Sequence, residues 1–295
     1  MLTNPTLAIL VFATITSNLF IADWMINRKV KNFTLKSSVV WSLLYVGAAM
    51  VFFGYLSVYE SKEAASLFLA GYTLEKTLSF DNLFMFSPIL AYFAIKGNDR
   101  HKALHYGILG AVVFRLLFTY IGVESMSLFG PIAEVIFSLL IFFSIYLIVT
   151  SSDDEEDYQP SGFVKWVQER YPRFTTLFFA ILSIEIADIM FSFDSVPAII
   201  AVTKDPVLIY TSMMFAILGL RSMFFVIEAL KDYLAYIDQA VIVVLAFIGS
   251  KLLVGAVFDL HIDPVNSMYI IVGILLIGAL SSIVKGRKIH VDSVN

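Results

Sequence analysis

Apolar residues run along this chain in blocks of about twenty, the length a helix needs to cross the hydrocarbon core of a bilayer. The blocks fall at 6–26, 37–59, 65–95, 102–122, 128–150, 174–203, 207–230, 237–258 and 266–285. This pattern predicts an all-α, polytopic membrane protein of about nine transmembrane helices. The third and sixth blocks are too long for a straight span, and both carry charges in their middles.

The breaks between blocks are polar in a sided way. Lys and Arg accumulate on cytoplasmic loops. Arg28, Lys29, Lys31 and Lys36 follow block one; Lys96, Arg100 and Lys102 follow block three. Lys165, Arg170 and Arg173 follow block five, Lys231 follows block seven, and Lys285, Arg287 and Lys288 follow block nine. The alternate loops hold only Lys62 and Lys204. This alternation favours nine crossings, with the N-terminus outside and the C-terminus in the cytoplasm. Met1 to Pro5 carry no basic residue, so block one reads as a retained span rather than a signal peptide.

Composition agrees. Hydrophobic residues make up 59% and charged residues 15% of the 295, against about 25% charged in soluble domains. The mean hydropathy is +0.84. The bilayer is therefore the expected surrounding. No cysteine is present, which excludes disulfides and thiolate metal sites. A net charge of −4 gives no footprint for nucleic acid. No protein partner is indicated. The run Ser151-Ser152-Asp153-Asp154-Glu155-Glu156-Asp157 reads as a solvated linker. Phe163, Val164, Trp166 and Val167 after it suit a short interfacial helix. Trp24 and Trp41 suit interface anchors.

The long blocks share a motif. Glu75-Lys76-Thr77-Leu78-Ser79-Phe80-Asp81-Asn82 matches Asp188-Ile189-Met190-Phe191-Ser192-Phe193-Asp194-Ser195: an acid, then Ser-Phe-Asp, then Asn or Ser. Each copy precedes a block with one Arg, Arg115 or Arg221. The implied organisation is two N-terminal helices (1–59), a three-helix repeat (60–150), an acidic cytoplasmic linker (151–173), a second three-helix repeat (174–258), and a last helix with a basic cytoplasmic tail (259–295). Units of three spans in series have opposite orientation. This is the inverted-repeat plan of transporters, whose sites lie at the repeat interface near the midplane.

Glu75, Asp81, Glu185, Asp188 and Asp194 are thereby placed at membrane depth. Each would cost about 2.5–3.5 kcal/mol if it faced lipid, so they face a polar interior. Internal pairing with Lys76, Arg115, Arg221 and Lys251 explains part of this, but five acids exceed four bases. Glu75, Ser79 and Asn82 share one helical face, as do Glu185, Asp188, Ser192 and Ser195. Asp81 and Asp194 lie six residues beyond their partner acids and point about 120° away. Both acids of a pair reach one ion only if the helix is broken nearby. Pro88 and Pro197 supply reasons for a break, and each frees a carbonyl. Oxygen ligands without midplane His or Cys suit Mn²⁺, Mg²⁺ or Ca²⁺ and disfavour zinc and copper. Glu134 and Glu228, nearer span ends, rank second. Asp259, His261 and Asp263 read as an ordinary polar loop rather than as a cation-attracting outer mouth.

These stretches resemble the TerC family of integral membrane proteins, named for tellurium resistance. The resemblance is carried by Glu75 to Phe84, Ser183 to Ala198, Arg115, Arg221 and the Ile248-Gly249-Ser250-Lys251-Leu252 segment, and it covers roughly 60–285. The chain is similar to the bacterial group that includes alkali-inducible, manganese-linked members. The resemblance implies export of Mn²⁺ as cargo, with no prosthetic group, through Glu75, Asp81, Glu185, Asp188 and Asp194. Asn82 and Ser195 are the adjacent polar groups, and Arg115, Arg221 and Lys251 the counter-ions. The competing readings are a Ca²⁺ or Na⁺ antiporter and a membrane assembly factor linked to tellurite resistance. An intramembrane protease is disfavoured, because no Gly-x-Gly-Asp surrounds either Asp and no Ser/His pair lies in the core.

Overall fold

A computed structural model describes residues 2–27, 35–150, 159–230, 236–260 and 262–292, and among them every regular element is helical. The order is α1 (Pro5–Asn27), α2 (Leu35–Tyr55, prolonged by a π-turn Leu56–Glu60), α3 (Lys62–Tyr92), α4 (Gly97–Phe129), α5 (Pro131–Thr150) and the short α6 (Gly162–Arg170). It continues with α7 (Thr176–Val202), α8 (Pro206–Ile217), α9 (Leu220–Leu230), α10 (Ile237–Phe258) and α11 (Pro264–Asp292).

Each apolar block coincides with a helix, and block seven with the pair α8–α9. Five helical stretches are long and apolar enough to cross a membrane alone: Leu35–Glu60, Asp99–Phe129, Pro131–Thr150, Gln239–Phe258 and Val265–Ser282. Counting two bent stretches gives seven. In α7, Thr176–Met190 and Ser195–Val202 meet at 42°, and α8 meets α9 at 51°. The expectation of nine thus rests on α1, whose apolar helix Pro5–Leu19 is short, and on α3, which carries Glu75, Lys76 and Asp81 in its middle.

Boundaries shift where turn chemistry allows. The loop expected near 122–128 is instead helix, because α4 runs on to Phe129. It stops at Gly130, whose φ of +50° ends the helix, and Pro131 then occupies the first position of α5, where its missing N–H is no loss. The interfacial helix expected near 163–167 is α6. The Ser161 hydroxyl accepts from the Val164 N–H at its start. Val164 and Val167 are buried, while Phe163 and Trp166 are exposed. The acidic run 151–157, the basic residues 28–31, Lys231 and His261 lie outside the described residues.

α3 and α7, the motif helices, occupy the centre. α3 packs on α7, α8, α9 and α11, and α7 packs on α4, α5 and α10. α5 packs along α10, and α2 along α9. Small residues permit this closeness, as membrane helices require. Gly71 of α3 meets Ile199 and Ser212, and Gly107 and Gly110 of α4 meet Ile184 and Glu185 of α7. The outer surface is apolar, with Leu43, Leu128, Leu139 and Leu280 all exposed; a lipid solvent explains this.

The polar contacts sort by end. The Leu2 N–H donates to Asp205 at 3.2 Å, and those of Thr3 and Asn4 donate to Glu60. Lys204 pairs with Glu134 beside them in the chain order. Arg100 pairs with Glu228 across the α3–α4 junction and the end of α9.

Candidate functional site

The site begins with one residue on each motif helix. Glu75 on α3 and Asp188 on α7 are nearly inaccessible, at 1% and 2% exposure, and between them lies Arg115 of α4, at 1%. Arg115 Nη1 donates to Glu75 Oε2 at 2.8 Å, and Nη2 donates to Asp188 Oδ1 at 3.1 Å. Arg115 Nε adds a contact to Asp188 Oδ2 at 3.4 Å. The planar fork of a guanidinium suits this bidentate grip. Asn82, about two turns beyond Glu75, completes the group. Oriented so that its amide nitrogen donates to the Leu78 carbonyl at 3.0 Å, its oxygen accepts from Arg115.

Glu185 sits one turn before Asp188 on α7, so the two carboxylates share a face. Its carboxylate nests on the bare backbone of Gly110, where a Cβ would lie only 2.1–2.3 Å from it. Glu185 Oε2 is buried without a hydrogen-bond partner, as are the hydroxyls of Ser79 and Ser195 in the two motifs. Ser192 is satisfied by the Asp188 carbonyl at 2.8 Å. Asp81 and Asp194 lie on α3 and α7 beyond these acids; their carboxylates fall outside the described residues. The bend within α7 falls between Met190 and Ser195, just before Pro197, whose ring removes an in-helix hydrogen bond. α3 passes Pro88 as one helix.

The other bases lie elsewhere. Arg221 opens α9 and lines a cavity of about 140 Å³ with His105 and Tyr45. Lys251 lines a smaller cavity of about 50 Å³ with Glu134 and Lys204. Glu228 is held by Arg100. Lys76 turns from the acids altogether: its ammonium donates to the carbonyls of Ala216 at 2.9 Å and Leu218 at 3.2 Å. Sequence reasoning missed this role of Lys76 and the packing role of Gly107 and Gly110. The i, i+3 spacing of those two glycines in an apolar block was the available signal. Among the described residues, no three His, Asp or Glu side chains are gathered as a ready metal site.

Fold and site together define a multi-pass integral membrane protein with an ion-paired carboxylate cluster between two helices of matching sequence. Residues 60–289 match the model of the integral membrane protein TerC family, and the chain belongs to that family. It is 36% identical to the tellurium resistance protein TerC of Serratia marcescens, covering 95% of this chain and 94% of that one. The tellurium resistance protein TerC of an Alcaligenes species is 35% identical, covering 97% and 96%. The chloroplastic thylakoid membrane protein TERC of Arabidopsis thaliana is 34% identical, covering 85% and 69%. No solved structure matches the chain.

Proposed function

We propose that this protein carries a divalent cation, Mn²⁺ on the family resemblance, out of the cytoplasm across the bacterial plasma membrane. The observation that carries the reading is the surplus of buried oxygen on the two motif helices that Arg115 bridges. One guanidinium engages Glu75, Asp188 and Asn82, yet Glu185 Oε2, one turn from Asp188, and the Ser79 and Ser195 hydroxyls of the two motifs are buried without partners. A purely structural ion pair needs none of these three. With all groups ionised, Glu75, Asp188 and Glu185 against Arg115 leave two negative charges, which a divalent cation would offset. Carboxylate, amide and hydroxyl oxygens are ligands for hard cations.

Arg115 gives the cluster two states. In one, its guanidinium holds Glu75 and Asp188. In the other, the acids turn to the cation and Arg115 repels it, which favours release. The acids would also take protons in exchange, so the cycle would be proton-coupled. The N-terminus, Glu60 and Asp205 would face outward and Arg100 inward, following the distribution of basic residues. No catalytic apparatus enters this reading, and the inverted pair of repeats that the sequence implies would supply alternating access.

The test is flux. Everted membrane vesicles containing the protein are expected to accumulate Mn²⁺ when acid inside, and Mg²⁺ or Ca²⁺ competing at equal concentration would reassign the ion. Vesicles that take up no divalent cation above empty controls would refute the proposal.

A further inference from the structure

Lys76 sits next to Glu75 in the first motif but serves a different partner. It is 7% exposed, and its described bonds go to the carbonyls of Ala216 and Leu218. Those carbonyls surround the end of α8 at Ile217, where the last carbonyls of a helix have no partner of their own. Within a bilayer such groups are too costly to leave bare. An ammonium also complements the negative end of the α8 dipole. The second motif has Ile189 at the matching position, so only one repeat owns this device.

The element that Lys76 caps has an alternative. α8 and α9 form one apolar stretch broken by two residues, Leu218 and Gly219, and bent by 51°. Gly219 has a φ of +83°, a conformation glycine enters and leaves freely. The Ser222 hydroxyl accompanies the break, donating to the Gly219 carbonyl at 2.8 Å and lying 3.1 Å from Ser42 of α2. The cavity of about 140 Å³ opens directly beside it, bounded by Tyr45, Met214, Gly219 and Arg221. If Gly219 became helical, the Ala216 and Leu218 carbonyls would find partners along a continuous α8–α9, and Lys76 would lose its acceptors.

We infer that Lys76 is a positioning residue that latches α8–α9 in its bent form and ties that bend, through α3, to the state of the Glu75–Arg115–Asp188 cluster. α3 carries Glu75 and Lys76 side by side. A shift of Glu75 from Arg115 to a cation displaces the root of Lys76 and loosens the latch. The transport consequence rests on the cation-carrier reading; the bend itself does not.

The chain has no cysteine, so Val207→Cys with Ala229→Cys places two spin labels on the arms of the break without background. Twenty-two residues of straight helix span about 33 Å, and a 51° bend shortens this by about 3 Å. Lys76→Met is expected to move the distance distribution about 3 Å longer, and Lys76→Arg, which still donates, to keep it short. In reconstituted protein, Lys76→Met should lower the maximal Mn²⁺ rate at least tenfold and change KM less than twofold. An unchanged distance in Lys76→Met overturns the latch; a lengthened distance with normal flux overturns its tie to transport. If Lys76→Met fails to reach the membrane, Lys76→Leu, which likewise cannot donate to the Ala216 and Leu218 carbonyls, is read instead. An unchanged distance in inserted Lys76→Leu also overturns the latch. Wild-type protein that moves no cation defeats the carrier reading and leaves the distance test standing.

Discussion

Gly110→Ala separates the function of the site from its stability. An added Cβ would lie 2.1–2.3 Å from the Glu185 carboxylate atoms, and ordinary contact begins at 3.4 Å. The carboxylate must therefore retreat by about 1.1–1.3 Å, the difference between those distances. A glutamate can do this cheaply by rotating its outer bonds, and alanine raises helix propensity by about 0.8–1.0 kcal/mol over glycine. Insertion and thermal stability should stay near wild type. Metal–oxygen distances tolerate only a few tenths of an ångström, so a Glu185 ligand moved by more than 1 Å is lost. KM for Mn²⁺ should rise at least tenfold, equivalent to about 1.4 kcal/mol. Gly107→Ala, one turn away on the same face, is the control. Its Cβ would lie 2.7 Å from Cγ2 of Ile184, a β-branched and fully buried side chain that cannot swing aside. Overpacking there should cost about 1–3 kcal/mol of stability. The assay is vesicle flux normalised to membrane abundance, beside thermal aggregation of detergent-solubilised protein. A Gly110→Ala variant with unaltered KM at normal abundance would remove Glu185 from the cation path.

Arg115→Met should strand Glu75 and Asp188 as buried charges, cost about 3–5 kcal/mol, and deplete the protein from the membrane; Arg115→Lys should recover part of that abundance, as read by immunoblot of membranes. Asp81→Asn and Asp194→Asn should each abolish export while leaving the protein inserted, because an amide costs the bilayer no more than a carboxylate. Cellular Mn²⁺ under manganese load measures this, and normal export by both variants would take these residues out of the ligand set. Glu134→Gln removes the pairing with Lys204, whose side chain is 66% exposed. The melting temperature should fall only slightly, because Glu134 is buried but the amide still offers an acceptor oxygen and leaves no unpaired carboxylate.

Much of this architecture is legible in one dimension. A bilayer requires each crossing segment to satisfy its own backbone and present apolar side chains, so helix position follows from local hydropathy, and every apolar block coincides with helix. The acids stand out for the same reason: Glu75 and Asp188 violate the pattern at matched places. Arg115 stands out as the lone Arg of its block, and it is found between them. What sequence could not decide is direction around each helix axis. Glu75 and Lys76 are neighbours, yet one residue turns a helix by about 100°, sending one side chain to Arg115 and the other to the end of α8. Arg115 and Arg221 look equivalent in the chain, but Arg221 starts α9 and lines a different cavity. The break at Gly219 is equally hidden, because Gly107 and Gly110 lie in an unbroken α4. Whether a glycine ends a helix or admits a neighbour depends on what packs against it, and that is settled only when the helices come together.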